Sequence, residues 1–302
     1  MVRHFLNIHS LTQQTAKGLV LRAKEMKDGK YTSNLLAGKV LALIFEKAST
    51  RTRVSFEVGI RQLGGQTLFM TPAESQLGRS EPLKDTARVL SRYVDGLVVR
   101  TFEQAKLEEL VQFGNIPVVN ALTNEGHPCQ IMSDMLTMYE HMPNFEDMHM
   151  AWIGDGNNMA NSFIEAAMLF PFTLHMACPE GFEPDSTLLD LAIKSGAKIE
   201  LCKDPLQAVK NVHFVHTDVW TSMGQEEETA KRLKVFSGYC VNKEMMNLAH
   251  PQAKFMHCLP AHRGEEVTED VFESNTSIVF QQAENRLHMQ KAILELLFTK
   301  AN

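Results

Sequence analysis

No stretch of this sequence stays apolar for the roughly 18 residues needed to cross a bilayer, so no membrane-spanning helix is expected. The opening MVRHFLNIHS lacks a charged head followed by an apolar core, and no secretory signal is read there. Cysteine is scarce, with five at positions 129, 178, 202, 240 and 258, and they form no CxxC pair and no even framework. That argues against a disulfide scaffold and for a reducing cytoplasm, with most of the thiols buried. A basic excess is also missing: 30 Lys and Arg stand against 36 Asp and Glu, for a net charge of −6. Nucleic acid and acidic membrane surfaces are therefore not expected partners, and any anion must be held by a local cluster of cations. The GxxxxGK[ST] signature of nucleotide hydrolases does not occur. Gly154-Asp155-Gly156 follows an apolar run, but Met159 stands where a dinucleotide fingerprint needs its third glycine. The next apolar run ends in Ala177-Cys178-Pro179 rather than in an acid, so a nicotinamide cofactor is excluded as well. Neither an internal repeat nor a low-complexity segment is present.

What is there reads as a packed α/β protein. Hydrophobic residues make up 44% of the chain and charged ones 22%, and 302 residues suit two domains of about 150 each. Short apolar runs at 40–45, 67–70, 96–99, 116–119, 150–153, 173–176, 198–201, 212–215 and 254–256 alternate with amphipathic stretches at 10–28, 51–63, 82–93, 103–113, 128–142, 158–170 and 185–194. Strands apolar throughout, rather than alternating, belong to parallel sheets covered on both faces. At least eight crossovers are better housed in two sheets than in one. The expected fold is thus two doubly wound parallel-sheet domains with an active-site cleft between them. Ser10 and Gln13 have capping-box spacing at the first helix. The helix at 128–142 is the expected bridge, giving domains of 1–135 and 136–283. A last helix is expected at about 282–298, and the C-terminal segment 284–302 is expected to pack back on the first domain.

In such sheets ligands gather beyond the carboxyl ends of the strands. Those ends carry Ser49-Thr50-Arg51-Thr52-Arg53, Arg100, His127-Pro128-Cys129-Gln130, Asp155-Gly156-Asn157-Asn158, Asp218 through Gly224, and His257-Cys258-Leu259-Pro260. At Ser49 a strand runs into a Ser/Thr-rich turn that opens a helix, so backbone N–H groups and the positive helix end face one place. Two hydroxyls and an arginine complete a cradle for a phosphate. Arg51 and Arg53 stand about 200° apart around a helix, so Arg51 is assigned to the anion and Arg53 to a structural or interfacial role. Taken singly, these residues have ordinary readings: a helix cap at Ser49, a surface charge at Arg100, a turn at His127, a buried structural thiol at Cys258. It is the set that outweighs them.

Ser-Thr-Arg-Thr-Arg at 49–53, then His-Pro-Cys-Gln at 127–130, then His-Cys-Leu-Pro at 257–260 resembles the aspartate/ornithine carbamoyltransferase family. Asp218 followed by Ser222-Met223-Gly224 looks like its ornithine branch, and the likeness runs from Val40 to Arg286 with no departure at a motif position. The resemblance implies that Ser49, Thr50, Arg51 and Thr52 hold the phosphate of carbamoyl phosphate. It implies that Arg100 and His127, with Thr52, donate to the carbonyl oxygen, where negative charge develops on attack. Gln130 and the backbone carbonyl of Leu259 accept from the NH2 group, Cys258 lies beside it, and Arg286 closes the clamp. Gln76 reaches in from a neighbouring subunit, which implies a homotrimer with shared sites. L-ornithine is implied to lie on Asn158, Asp218, Ser222 and Met223, with Asp218 and Cys258 orienting its side-chain amine and helping to take its proton. The catalytic set is then Arg100, His127, Asp218 and Cys258. The implied reaction yields L-citrulline and phosphate, in arginine synthesis rather than breakdown, and needs no cofactor.

Other readings stay in view. A metal protein is disfavoured, because His213 and His216 on one strand point to opposite faces and His257, Cys258 and His262 lack a second ligand pair. Within the family, putrescine, N-acetylornithine or aspartate could replace ornithine. Asp218 matches a free α-ammonium, and the acidic run Gln225-Glu226-Glu227-Glu228 does not suit aspartate. A non-enzymatic relative would be expected to have lost motif residues.

Overall fold

The structure, a computed structural model, describes residues 3–71, 81–221 and 228–299. In chain order the first elements are α1 (Gln13–Lys27), β1 (Val40–Phe45), α2 (Thr50–Gln62), β2 (Gln66–Met70), α3 (Leu83–Tyr93), β3 (Gly96–Arg100), α4 (Gln104–Phe113), β4 (Val118–Leu122) and α5 (Pro128–His141). There follow β5 (His149–Ile153), α6 (Asn158–Ala167), β6 (Thr173–Ala177), α7 (Ser186–Lys194), β7 (Lys198–Leu201), α8 (Pro205–Ala208), β8 (Phe214–Thr217), α9 (Thr229–Val235), α10 (Lys243–Leu248), β9 (Lys254–His257), α11 (Glu269–Phe272) and α12 (Val279–Phe298). The chain divides into two compact units, Met1–Leu136 with Glu284–Asn302, and Thr137–Ala283. None of the described helices is long and apolar enough to cross a membrane.

Each unit holds one parallel sheet with flanking helices, in the order β2-β1-β3-β4 in the first and β7-β6-β5-β8-β9 in the second. The central strands are buried because helices cover both of their faces: β3 and β8 are buried at every position. The edge strands β2 and β7 alternate or are largely exposed, and their sequences QTLFM and KIEL are correspondingly more polar. In the first unit Ala42, Ile44, Leu97 and Val99 meet Leu90, Leu107 and Leu110 from α3 and α4. The other edge, β4, is covered by the start of the chain, where Phe5 bridges Val119. Helix α12 returns to this unit and packs against α2 at Gly59. A Cβ there would meet Lys291 Cγ at 3.3 Å and Leu287 Cδ1 at 3.5 Å, so the absent side chain sets the close approach.

Several boundaries differ from those read in the sequence, and four of the differences have a plain description. Thr12 rather than Ser10 caps α1, its hydroxyl accepting from Thr15 N at 3.1 Å. The run at 116–119 becomes a strand only from Val118, since Pro117 has no N–H to give a ladder. The run at 212–215 begins in a turn, with Val212 N on Val209 O, and the strand extends to Thr217. Helix α12 starts at Val279 rather than about residue 282. Helices α8 to α11 span four to seven residues each, too short to show a helical period in sequence.

Gly156, just after β5, lies against the turn at Glu183 and Pro184. Its N–H donates to Phe182 O at 2.8 Å, and a Cβ would fall 2.2 Å from Pro184 N. Gly156→Ala is expected to destabilise the second unit by about 1–3 kcal/mol, the usual cost of overpacking. Both tryptophans, Trp152 and Trp220, lie in that unit, so urea unfolding followed by tryptophan fluorescence reads the change directly. An unshifted midpoint contradicts the contact.

Candidate active site

In the first sheet the strand order reverses between β1 and β3, the place where neighbouring loops diverge and leave a crevice. Ser49 follows β1 there as the extended N-cap of α2, with φ −156° and ψ 104°. Its side chain makes no capping bond. Instead Arg100 Nη1, from the end of β3, donates to Ser49 Oγ at 3.4 Å, so the first-turn N–H groups of α2 gain no acceptor from Ser49. Thr52 is fully buried in that first turn and its hydroxyl accepts from Arg286 Nη2 at 2.6 Å. Arg51 is half-buried and its guanidinium has no ion-pair partner among the described residues. Arg53 points elsewhere, onto the Phe69 ring 3.6 Å away and to Glu57 Oε1 at 2.9 Å.

His127 precedes α5 and is buried beside both arginines. Its pKa falls well below the usual value because of that burial, and the Arg286 and Arg100 charges push it further down. Cys129, from the same turn, is wholly buried, and burial pushes its thiol up to about 12. Gln130 gives its NH2 to Asp134 Oδ1 at 2.8 Å, while its own oxygen, Oε1, is buried without a hydrogen-bond partner among the described residues. The first unit therefore brings together Ser49, Thr52, Arg100, His127 and Arg286, with Gln130 one turn along: several donors and one open acceptor. Glu46 was not singled out in sequence. It is tied down by Thr101 Oγ1 at 2.6 Å and by Lys106 Nζ at 2.9 Å, which neutralises a carboxylate next to the cluster.

In the second sheet the order reverses between β5 and β8. Asn157 caps α6, its Oδ1 accepting from Met159 N at 2.9 Å and Ala160 N at 3.3 Å, and its NH2 reaches Asp218 Oδ2 at 3.4 Å. Asp218 follows β8, is almost fully buried, and accepts from Cys258 Sγ at 3.0 Å through its other oxygen. Asn158 is half-buried at the first position of α6. Leu259 stands in the left-handed region at φ 62°, a conformation that costs an L residue about 1–2 kcal/mol. It is held there by its N–H on His257 Nδ1 at 2.8 Å. That bond makes Nδ1 the acceptor, so the ring proton sits on Nε2, which donates to the buried Glu266 Oε1 at 3.0 Å. Cys258 and Leu259, implied by the resemblance to serve the carbamoyl donor, thus lie in the second unit.

Sequence reasoning missed Asn157 as a partner of Asp218, although an Asn before a helical run is a legible cap. It also missed Arg232 and Glu266. Arg232 is buried, donates to Asp155 Oδ2 at 2.7 Å and to Trp220 O at 2.9 Å, and offsets the burial that raises the Asp155 pKa. No spacing rule ties a residue on α9 to one after β5, so nothing in the sequence marked it. Asp218, His257 and Cys258 bring three potential metal-ligand atoms close together, but both ring nitrogens of His257 are already engaged. Gln76, Ser222 and Met223 lie outside the described residues.

Residues 3–140 match the family model described as the carbamoyl-P binding domain of aspartate/ornithine carbamoyltransferase, and residues 146–297 match the model of its Asp/Orn binding domain. The chain is 65% identical over 300 residues to the ornithine carbamoyltransferase of Nitratidesulfovibrio vulgaris, covering 99% of this chain and 100% of that one. It is 49% identical over 304 residues to the anabolic ornithine carbamoyltransferase of Pseudomonas aeruginosa, covering 100% and 99%. Among solved structures, the ornithine carbamoyltransferase of Pyrococcus furiosus superposes with a TM-score of 0.94 at 43% identity, covering 99% of this chain and 98% of that one.

The state of His127 has a consequence for stability. The unfolded chain binds this proton near pH 6.5, whereas the folded chain binds it only well below that. The stability tied to His127 is therefore complete above about pH 6.5 and falls as the pH drops, by up to about 1.4 kcal/mol per pH unit, until the folded group titrates. Between pH 7 and 5 the unfolding free energy of His127→Gln is expected to fall less steeply than that of the parent chain. Equal slopes in urea titrations mean that His127 is not the buried neutral base described here.

Proposed function

The chain belongs to the aspartate/ornithine carbamoyltransferase family, and from that premise we propose that this carbamoyl-group transferase acts on L-ornithine, converting it with carbamoyl phosphate to L-citrulline and phosphate. One observation supports the donor half above others: a neutral buried imidazole, two guanidinium groups and an open amide oxygen are grouped in the first unit. A carbamoyl group needs donors at its C=O and an acceptor at its NH2, and few other ligands ask for both beside a phosphate. Ser49, Thr50, Arg51 and Thr52 at the start of α2 take the phosphate. Arg100, His127 and Thr52 donate to the carbonyl oxygen, Arg286 holds Thr52 in place, and Gln130 Oε1 accepts from the NH2. His127 can do this as a neutral donor, since its depressed pKa keeps it uncharged at physiological pH. Because these donors are fixed by the fold, they stabilise the charge that grows on the oxygen without reorganising.

The amine half rests on the second unit. Asp218 suits the α-ammonium, with Ser222 four positions further along the chain, while Asn158 and the Met223 N–H suit the α-carboxylate. The side-chain amine, with a solution pKa near 10.4, must lose a proton to attack, and Asp218 with Cys258 orients it and takes part in that transfer. Aligning the two substrates and stabilising charge then supply the rate, with no covalent intermediate and no cofactor. Relatives named as anabolic, from Pseudomonas aeruginosa and Campylobacter jejuni, support the direction of arginine synthesis. A homotrimer, with Gln76 reaching a neighbouring site, and a cytoplasmic setting, in which all five cysteines are free thiols, complete the reading.

A colorimetric citrulline assay with carbamoyl phosphate and a panel of ornithine, putrescine, N-acetylornithine and aspartate tests it; turnover on ornithine alone is expected, and a preference for another amine overturns the substrate. Arg51→Ala is expected to lower turnover by at least about a hundredfold, and near-normal activity removes the phosphate assignment. Activity is also expected to rise from about pH 6 to 9 as more of the amine is deprotonated, and a flat profile contradicts control by that step.

A further inference from the structure

Away from the carboxyl ends of the strands, the second sheet carries a row of histidines that the transfer reaction does not use. His250 precedes β9, His213 precedes β8, His149 opens β5 and His175 is third in β6. Neighbouring ring centroids are 5.0 Å apart for His250 and His213, 6.0 Å for His213 and His149, and 5.3 Å for His149 and His175. The closest pair is polar: His149 Nδ1 and His175 Nε2 are 3.0 Å apart. On its other side His175 Nδ1 meets Glu200 Oε2, from β7, at 3.1 Å.

The protons can be placed. A carboxylate only accepts, so His175 Nδ1 carries the hydrogen and its Nε2 presents a lone pair toward His149. Burial lowers the His175 pKa, Glu200 opposes this and His149 adds to it, so the ring stays neutral in the physiological range. A carboxylate on one nitrogen and a lone pair on the other is the arrangement that metal-ligating histidines adopt, the carboxylate fixing the tautomer and raising ring basicity; here that lone pair accepts from His149 Nδ1. One ring nitrogen of His213 is already engaged, because its Nδ1 accepts from His149 N at 3.1 Å.

We propose that His149 and His175, backed by Glu200, bind one first-row divalent ion such as Zn2+ or Ni2+, which takes the place of the proton between the two rings and clips β5 to β6. Imidazole ligands select such ions over Mg2+ or Ca2+. An ion about 2.0–2.1 Å from each nitrogen, with the nitrogens 3.0 Å apart, subtends an angle of about 94°, and opening the pair to roughly 3.3 Å makes the angle tetrahedral. Both rings are half-buried, so water fills the remaining positions, and His149 moves its proton to Nε2 without a change in net charge.

Calorimetric titration of Zn2+ into the full chain carrying Cys258→Ser tests this, since that background lacks the thiol beside Asp218. One equivalent is expected to bind, to vanish when His149→Gln and His175→Gln are added, and to have no counterpart with Mg2+. Glu200→Gln is a second arm that the fold tolerates, because its side chain is 64% exposed; it is expected to weaken binding about tenfold or more. Zn2+ stoichiometry and affinity that are unchanged in the histidine pair variant, or in Glu200→Gln if the pair variant does not fold, overturn the proposal. So does the absence of Zn2+ heat in the Cys258→Ser chain.

Discussion

A buried imidazole kept neutral beside two guanidinium groups is the constraint around which the first unit is arranged. Burial alone disfavours a charged His127, and Arg286 and Arg100 disfavour it further, so the ring is left as a hydrogen-bonding group rather than a third cation. Those arginines come from distant parts of the chain. Arg100 ends β3, and Arg286 arrives on α12, whose approach to α2 depends on the missing side chain of Gly59. The Arg286 to Thr52 bond spans 234 positions in sequence and fixes the first turn of α2. The donors that a carbamoyl phosphate would meet are thereby placed by packing before any ligand arrives, which is how fixed dipoles do the most for a developing charge.

The second unit reaches a comparable order by a different route. There a chain of hydrogen bonds, from Glu266 through His257 to the Leu259 N–H, holds Leu259 in a backbone region it would otherwise avoid. The neighbouring Cys258 is left facing Asp218. Asp155 is neutralised by Arg232 rather than by solvent, so one buried carboxylate is satisfied structurally, while the carboxylate of Asp218 meets the neutral side chains of Asn157 and Cys258. Two acidic residues at the ends of adjacent strands thus have different environments.

Much of the fold was legible in the residues. Runs such as Val40–Phe45 and Gly96–Arg100 are apolar at nearly every position because helices cover both faces, and this separates parallel central strands from edge strands such as Lys198–Leu201. The strand-end polar groups were legible as well, since a serine, threonine or asparagine between an apolar run and a helical one marks a helix start. Short helices were not legible, because four to seven residues hold too little of a 3.6-residue period. Nor was Glu266: beside Gly264 and Glu265 it reads as surface charge, and only its seat under His257 shows otherwise.

By itself, then, the sequence determined the α/β class, the order of elements and the chemical character of each strand end, because these depend on local period and on what immediately follows each apolar run. Tertiary structure alone decided which side chains meet and how their groups are protonated. It put Arg286 on Thr52, took Arg53 onto Phe69, and set His175 between His149 and Glu200 on three separate strands. Pairing across a sheet and burial beside another charge are long-range properties, and no spacing along the chain encodes them.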